Sequence, residues 1–374
     1  MDLSHEDSFR LNVLLANRPL AIRIDESKLI VQGLVPQGES TVRLNPNSRP
    51  DQYLRRVKEL ISGHVLGSPG GYPVYLRRWT RMGQMRDESL EQLLMLGEPE
   101  AVVAAVCSPG LTDELARRAW WAMEDAENAR RMLANPAIVA GRMGPILVDY
   151  LIDYLPFETE SDRIIESIRL ILSTGLLDMT RRAELWKKSA RKHVYLVGFL
   201  QAAPDDLPGE SAARPVPDAV NALAERGNRC AVLLRRVLGA PGQRFIATVG
   251  TVLAKPPNQD VVTTTFDLLR DYFGALRSEG DPDLPIAELI ADADAFACST
   301  SPDPDAAALL SLHPELSAEV AAMRLLSGVG YGLIRALSLD PSVLGSLMRR
   351  KLAPAIEPIQ EALGRLAPAV KGER

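Results

Sequence analysis

The stretch AIRIDESKLIVQGLVPQGESTVRLNP (21–46) decides the fold, because it is the one place where the chain reads clearly as β. Ala21, Arg23 and Asp25 alternate with Ile22 and Ile24, the period of two that a half-buried strand requires. LIVQGL (29–34) follows, and Thr41, Val42, Arg43 and Leu44 come after the turn residues Pro36 to Gly38. Three short antiparallel strands are predicted. A helix, HEDSFRLNVLLAN (5–17), precedes them. RPDQYLRRVKELISG (49–63) follows as a second helix, with Tyr53, Leu54, Val57, Leu60 and Ile61 on one face.

From Asp87 onward the helical period takes over. ESLEQLLMLG, EPEAVVAAVCSPG, TDELARRAWWAM, DAENARRMLAN, GPILVDYLIDYLPFE, SDRIIESIRLILSTG and MTRRAELWKKSARKHVYLVGFLQAA run in succession to residue 203. Acidic or Ser/Thr residues open these segments and Gly or Pro closes them, as helix-end chemistry requires. APDDLPGESAARPVPD (203–218), with its four prolines, reads as a linker. AVNALAERGNRCAVLLRRVLG (219–239) then starts a second helical series ending in PSVLGSLMRRKLAPAIEPIQEALGRL (341–366). The expected fold is mainly α. A small N-terminal antiparallel β element precedes an irregular helical array, either HEAT- or armadillo-like or a helical bundle, with no fixed repeat motif. The expected divisions are an α+β subdomain at 1–86, a helical domain at 87–203, a linker at 204–217 and a second helical domain at 218–374.

At 374 residues, 46% hydrophobic and 24% charged, the composition is that of an ordinary soluble globular protein. Three scattered cysteines make no disulfide framework and fit a reducing compartment. The polar, acidic start MDLSHEDSF reads as neither signal nor transit peptide, and no apolar run is long enough to span a bilayer. A cytoplasmic protein without membrane association is therefore expected. The net charge of −5 argues against a dedicated nucleic-acid binder. Its distribution is uneven, however: nine Arg or Lys against two acids lie between Arg43 and Arg86, and ten acids without a Lys or Arg between Glu279 and Glu319.

Within the basic segment, GHVLGSPGG (63–71) is glycine-rich but lacks the Lys-Ser/Thr pair of a P-loop, and GxGxxG is absent. It reads as a structural connection. The residues around it carry the candidate anion or RNA contacts: Arg77, Arg78 and Arg81 with the aromatic faces of Tyr75 and Trp79, and His64. Trp120 and Trp121, adjacent on a helix, point about 100° apart, so one is expected buried and the other partly exposed as a partner surface. Lys188 and Lys192, with Arg181, form a basic helix side that suits an acidic partner or RNA. The histidines and cysteines show no metal-ligand spacing, so no metal or cofactor is implied, and Cys107 is expected to be a buried structural thiol. Asp205 and Asp206 are expected to be solvated. GVGYG (328–332), inside an apolar helical pattern, is expected where another backbone comes close.

Together, EDSFRLNVLLAN, ELISGHVLGSPGGYPVYLRRWTRMGQ, ESLEQLLMLGEPEAVVAAV, GLTDELARRAWWAM and YLPFE resemble the DsrS family, which accompanies dissimilatory sulfite reductase in bacteria that oxidise stored sulfur. The resemblance is strongest over the first two hundred residues or so and weaker beyond 203–218. It implies a soluble accessory or regulatory protein of sulfur metabolism, acting after transcription on expression of the sulfite reductase proteins. It carries no residue with a chemical role onto this chain. Three functions are thus in view: a protein that binds a partner of the sulfur-oxidation machinery, an RNA-binding protein using 43–86, and an enzyme taking a small anion at the Gly/Arg stretch.

Overall fold

The strands form where the alternation places them. β1 (Ala21–Asp25), β2 (Ile30–Val35) and β3 (Gly38–Arg43) make an antiparallel meander in that order. The register pairs Ile24 with Val31 and Val31 with Val42, which sets Ile22, Ile24, Val31 and Val42 on one face. That face meets Leu11, Leu14 and Leu15 of α1 (His5–Ala16) and Tyr53, Leu54, Val57 and Ile61 of α2 (Pro50–Leu66) in one buried cluster. Gly33 lies on the same face; a Cβ there would sit 2.7 Å from Leu14 Cδ1, so glycine is what lets α1 lie against β2. The fold is mainly α with this sheet at its start. The computed structural model describes residues 3–67, 87–280, 282–335, 337 and 345–368.

A buried polar clasp closes this first core. Asp7 is fully buried, and its Oδ2 accepts from the Asn45 backbone N–H (2.7 Å) and from the Tyr53 hydroxyl. Burial, then the hydrogen bond to Asp7, raises the Tyr53 hydroxyl above its ordinary pKa.

Contacts divide the chain into two compact units, Met1–Pro156 and Phe157–Arg374. The first adds α3 (Asp87–Leu94), α4 (Pro99–Val106), α5 (Asp113–Ala122), α6 (Ala126–Leu133), α7 (Pro136–Val139) and α8 (Met143–Tyr154). Their starts follow the sequence signals: Thr112 accepts from the Leu115 N–H, and Asp125 from those of Glu127 and Asn128.

The second unit opens with α9 (Ser161–Ser173), α10 (Met179–Ser189) and α11 (Val194–Ala202). The sequence reads 179–203 as one run; the structure breaks it at 190–193. No Gly or Pro causes the break. Residues 194–200 are buried all round whereas α10 buries only Leu185 and Ser189, so the two halves need different directions to satisfy the core. The 219–239 run likewise splits into α12 (Asp218–Glu225) and α13 (Arg229–Leu238). Gly227 takes a left-handed φ of +86° and Asn228 caps the second helix, accepting from the Ala231 N–H. There follow α14 (Ala240–Ala254), α15 (Gln259–Phe273), α16 (Ile286–Phe296), α17 (Pro304–Leu312), α18 (Ser317–Leu326), α19 (Tyr331–Arg335) and α20 (Gly345–Leu366). α20 packs on α14 and α18, and α13 on α18, pairs far apart in sequence. A solenoid repeat touches only its neighbours, so the second unit is an irregular bundle.

The expected linker at 204–217 lies within the second unit, strapped down by arginines. Asp205 accepts from Arg236 Nη2 (2.6 Å) and from the Tyr272 hydroxyl (3.2 Å). Asp206 pairs with Arg182. Arg214 donates from its backbone to Leu238 O and from its side chain to Glu319 and Arg365 O. Proline composition marked the lack of regular structure correctly, but the side chains at its ends hold it to the bundle.

Much of the acidic 279–319 segment is also answered inside its own unit. Arg324 and Arg277, 8% and 6% exposed, share Asp292 and Glu279. Arg229 meets Asp303 and Asp305. At GVGYG the helix α18 has already ended, and side chains are what approach: a Cβ on Gly328 would meet Leu289 Cδ2 at 2.7 Å and Arg277 Nε at 3.2 Å, and one on Gly332 would strike the Asp283 carboxylate. The close approach is therefore to side chains, where another backbone was expected.

Candidate functional site

The break after α10 opens a cleft. Its walls come from α10, the 190–193 turn, α11 and α14, and it encloses about 390 Å³. On α14, Arg244, Ala247, Thr248 and Thr251 line it at helical spacing; Trp186, Lys187 and His193 face them. Trp186 is fixed edge-to-face on the buried Phe199 at 4.9 Å between ring centroids. Arg244 lies over the Trp186 ring at 5.3 Å, and its Nε donates to Pro208 O at 2.8 Å. Gly209, at a φ of +98°, has no Cβ to obstruct the guanidinium: one built there would sit 2.5 Å from Nη2.

Three groups that can carry positive charge thus border one cleft: Lys187, His193 and Arg244. None of the three has a carboxylate partner among the described residues, and no carboxylate lines the cleft. The hydroxyls there are already committed as donors. Ser189 Oγ donates to Trp186 O, Thr248 Oγ1 to Arg244 O and Thr251 Oγ1 to Ala247 O; of the three, only Thr251 is exposed and can offer its lone pairs as an acceptor.

Beside the cleft, Lys188, Arg191 and Lys192 are exposed, and their side chains have no carboxylate partner among the described residues. The N–H groups of Arg191 and Lys192 both donate to Lys188 O, so the three residues share one helical turn. Lys192 lies 5.7 Å from the Tyr195 ring. Most arginines elsewhere in this unit are paired, as at Arg182, Arg214, Arg229, Arg236, Arg270, Arg277, Arg324 and Arg335. The structure therefore brings Lys188 and Lys192 together as the sequence suggested. Arg244 and His193 escaped the sequence reading. The i, i+4 and i+7 spacing of Arg244, Thr248 and Thr251 was the available signal, but without the break at 190–193 nothing faced it.

The other sequence candidates fall as follows. Arg77, Arg78, Arg81, Tyr75 and Trp79 lie outside the described residues. His64 is exposed in the last turn of α2. Within the described part of the basic segment, Arg55 and Arg56 pair with Glu59, and Lys58 with Glu26, which takes up part of the charge that RNA would need. Trp120 is 9% exposed and meets Tyr150 edge-on at 4.7 Å, and Trp121 is half-buried, as the 100° argument requires. The Trp121 indole is engaged inside its own unit: its N–H donates to Glu39 (2.7 Å) and Arg23 lies 4.5 Å from the ring. Among the described residues no group of three or more His, Cys, Asp or Glu could hold a metal ion, and no helix is long and apolar enough to cross a membrane.

Cys107 corrects an expectation. It is exposed, because the apolar helix α4 ends one residue earlier and Cys107 is only its cap. Cys230 is the buried thiol, pushed up to about 12 by burial and then by the Asp303 and Asp305 charges. A thiol reagent at neutral pH should label Cys107 in the native chain and Cys230 only after unfolding. Peptide mass spectrometry after alkylation reads this directly, and equal labelling of the two would refute the burial of Cys230.

Compared with family models, curated proteins and solved structures, the chain matches none.

Proposed function

We propose that this chain is a non-enzymatic accessory or regulatory interaction protein of cytoplasmic sulfur oxidation, and that Lys188, Arg191 and Lys192 hold an acidic protein partner. The observation that carries the reading is a contrast in charge pairing. The second unit matches many of its arginines to carboxylates, yet at 188–192, as at Arg349, Arg350 and Lys351, it leaves three exposed cations of one turn without any among the described residues. Exposed like charges in one turn repel one another, so a surface that keeps them gains from an acidic partner. The sulfur-oxidation setting rests on the DsrS resemblance, which also supplies the expectation of action after transcription.

Affinity capture of the full chain from cells oxidising sulfide or sulfite tests this. The wild-type chain should retain a protein that the Lys188/Arg191/Lys192→Gln variant loses. Raised salt should release it, since contacts between exposed charges are screened. Equal retention by both chains, or none by either, would end the reading.

A further inference from the structure

We infer that the cleft between α10, α11 and α14 binds a small organic oxyanion with a flat body, in the size class of a nucleoside monophosphate. This goes beyond the partner surface and uses different side chains. At about 390 Å³ the cleft falls within the range of small-molecule pockets. It divides chemically into three parts. Lys187 and the terminal nitrogens of Arg244 supply donors and positive charge that no described carboxylate takes up, and His193 adds an imidazole beside them. Trp186, Leu196 and Ala247 supply apolar wall for a planar group. Thr251, exposed and with its proton spent on the Ala247 carbonyl, presents an acceptor to the hydroxyl or amino donors of a ligand body.

Arg244 is the organising residue. Its Nε is fixed by Pro208 O, its Cζ lies 5.3 Å from the Trp186 ring centroid, and the missing Cβ of Gly209 lets the guanidinium pack against the 208–209 backbone. A guanidinium held by its Nε keeps its outer nitrogens for a ligand, and this preorganisation spares the ordering cost of binding. The bare inorganic anion would use only the cations, and the neutral nucleoside only the wall and the Thr251 hydroxyl. The arrangement therefore favours a molecule that joins both parts.

Titration calorimetry of the full chain with AMP, adenosine and inorganic phosphate tests the assignment. AMP should bind, with adenosine and phosphate each at least about tenfold weaker, the factor expected for losing a charge-assisted hydrogen-bond set or a stacked body. Arg244→Ala should weaken AMP by about tenfold or more. Lys187→Gln, an exposed change that leaves the fold intact, should weaken it by about threefold. The Lys188/Arg191/Lys192→Gln variant should stay within about twofold of wild type, because exposed charges that do not touch a ligand are screened. Absence of AMP binding at millimolar concentration would overturn the inference. So would equal affinity for phosphate alone, or AMP binding unchanged in both Arg244→Ala and Lys187→Gln. Loss of AMP binding in the triple variant alone would place the ligand on the outer turn and overturn the cleft site while leaving the partner reading standing.

Discussion

Replacing Asp292 with Ala should lower the unfolding free energy by about 3 kcal/mol, the low end of what removing one partner of a buried ion pair costs. Asp292 Oδ2 accepts from both Arg277 and Arg324, whose side chains are 4% and 10% exposed. Taking the carboxylate away leaves two guanidinium groups facing each other with only the half-exposed Glu279 between them. The same site gives the unit an acid limit. Burial would raise the Asp292 carboxyl, but the hydrogen bonds and charges of Arg324 and Arg277 hold it below its ordinary value, and Glu279 is lowered likewise against its burial. A depressed carboxylate contributes stability that is present above the unfolded pKa of about 4 and is lost as pH falls through the folded value. Wild type should therefore lose more stability than Asp292→Asn as the medium is acidified below about pH 4. Chemical denaturation across pH measures both effects. A loss under about 1 kcal/mol, typical of a surface pair, would contradict the network's importance.

Gly198→Ala and Gly250→Ala should move stability in opposite directions. Both residues lie in helix interiors, where alanine is favoured by about 1 kcal/mol on backbone grounds alone. At Gly198 the added Cβ would meet Ile168 Cβ at 2.6 Å, Ile168 Cγ2 at 2.7 Å and the Ile165 carbonyl oxygen at 3.0 Å. A β-branched carbon and a backbone oxygen cannot swing aside, so α11 must lift from α9, and overpacking of this kind costs about 1–3 kcal/mol net. At Gly250 nothing lies within 4 Å, so that substitution should stabilise by about 0.5–1 kcal/mol. Thermal melts of the two variants beside wild type decide it. No destabilisation by Gly198→Ala would count against the α9–α11 packing, and destabilisation by Gly250→Ala against the open space beside α14.

The sheet was legible because its cause is local: Ile22 and Ile24 alternate with Arg23, and Pro36 to Gly38 carries the turn. The helices were legible for the same reason, and Thr112 and Asp125 cap where their chemistry says they should. The break at 190–193 was not, since no residue there forbids a helix; the burial of the whole α11 surface forces it. Local composition also hid the strap at 204–217, whose anchors Arg182, Arg236 and Arg244 lie elsewhere in the sequence, as does Glu319, the partner of the strap's own Arg214. The cleft failed to show for both reasons at once. Trp186 and Lys187 were visible as a basic aromatic helix, but Arg244 joins them only once α14 packs against α11.

The most direct test of the partner surface uses the chain's own lysines. There are eight, at 28, 58, 187, 188, 192, 255, 351 and 371, so three fall within six positions. A zero-length carbodiimide joins a lysine amine to a carboxylate only where the two are in contact. Applied to the captured complex and read by mass spectrometry, it should link Lys188 or Lys192 to Asp or Glu of the partner. Links confined to lysines outside 187–192, at 28, 58, 255, 351 or 371, would contradict the surface.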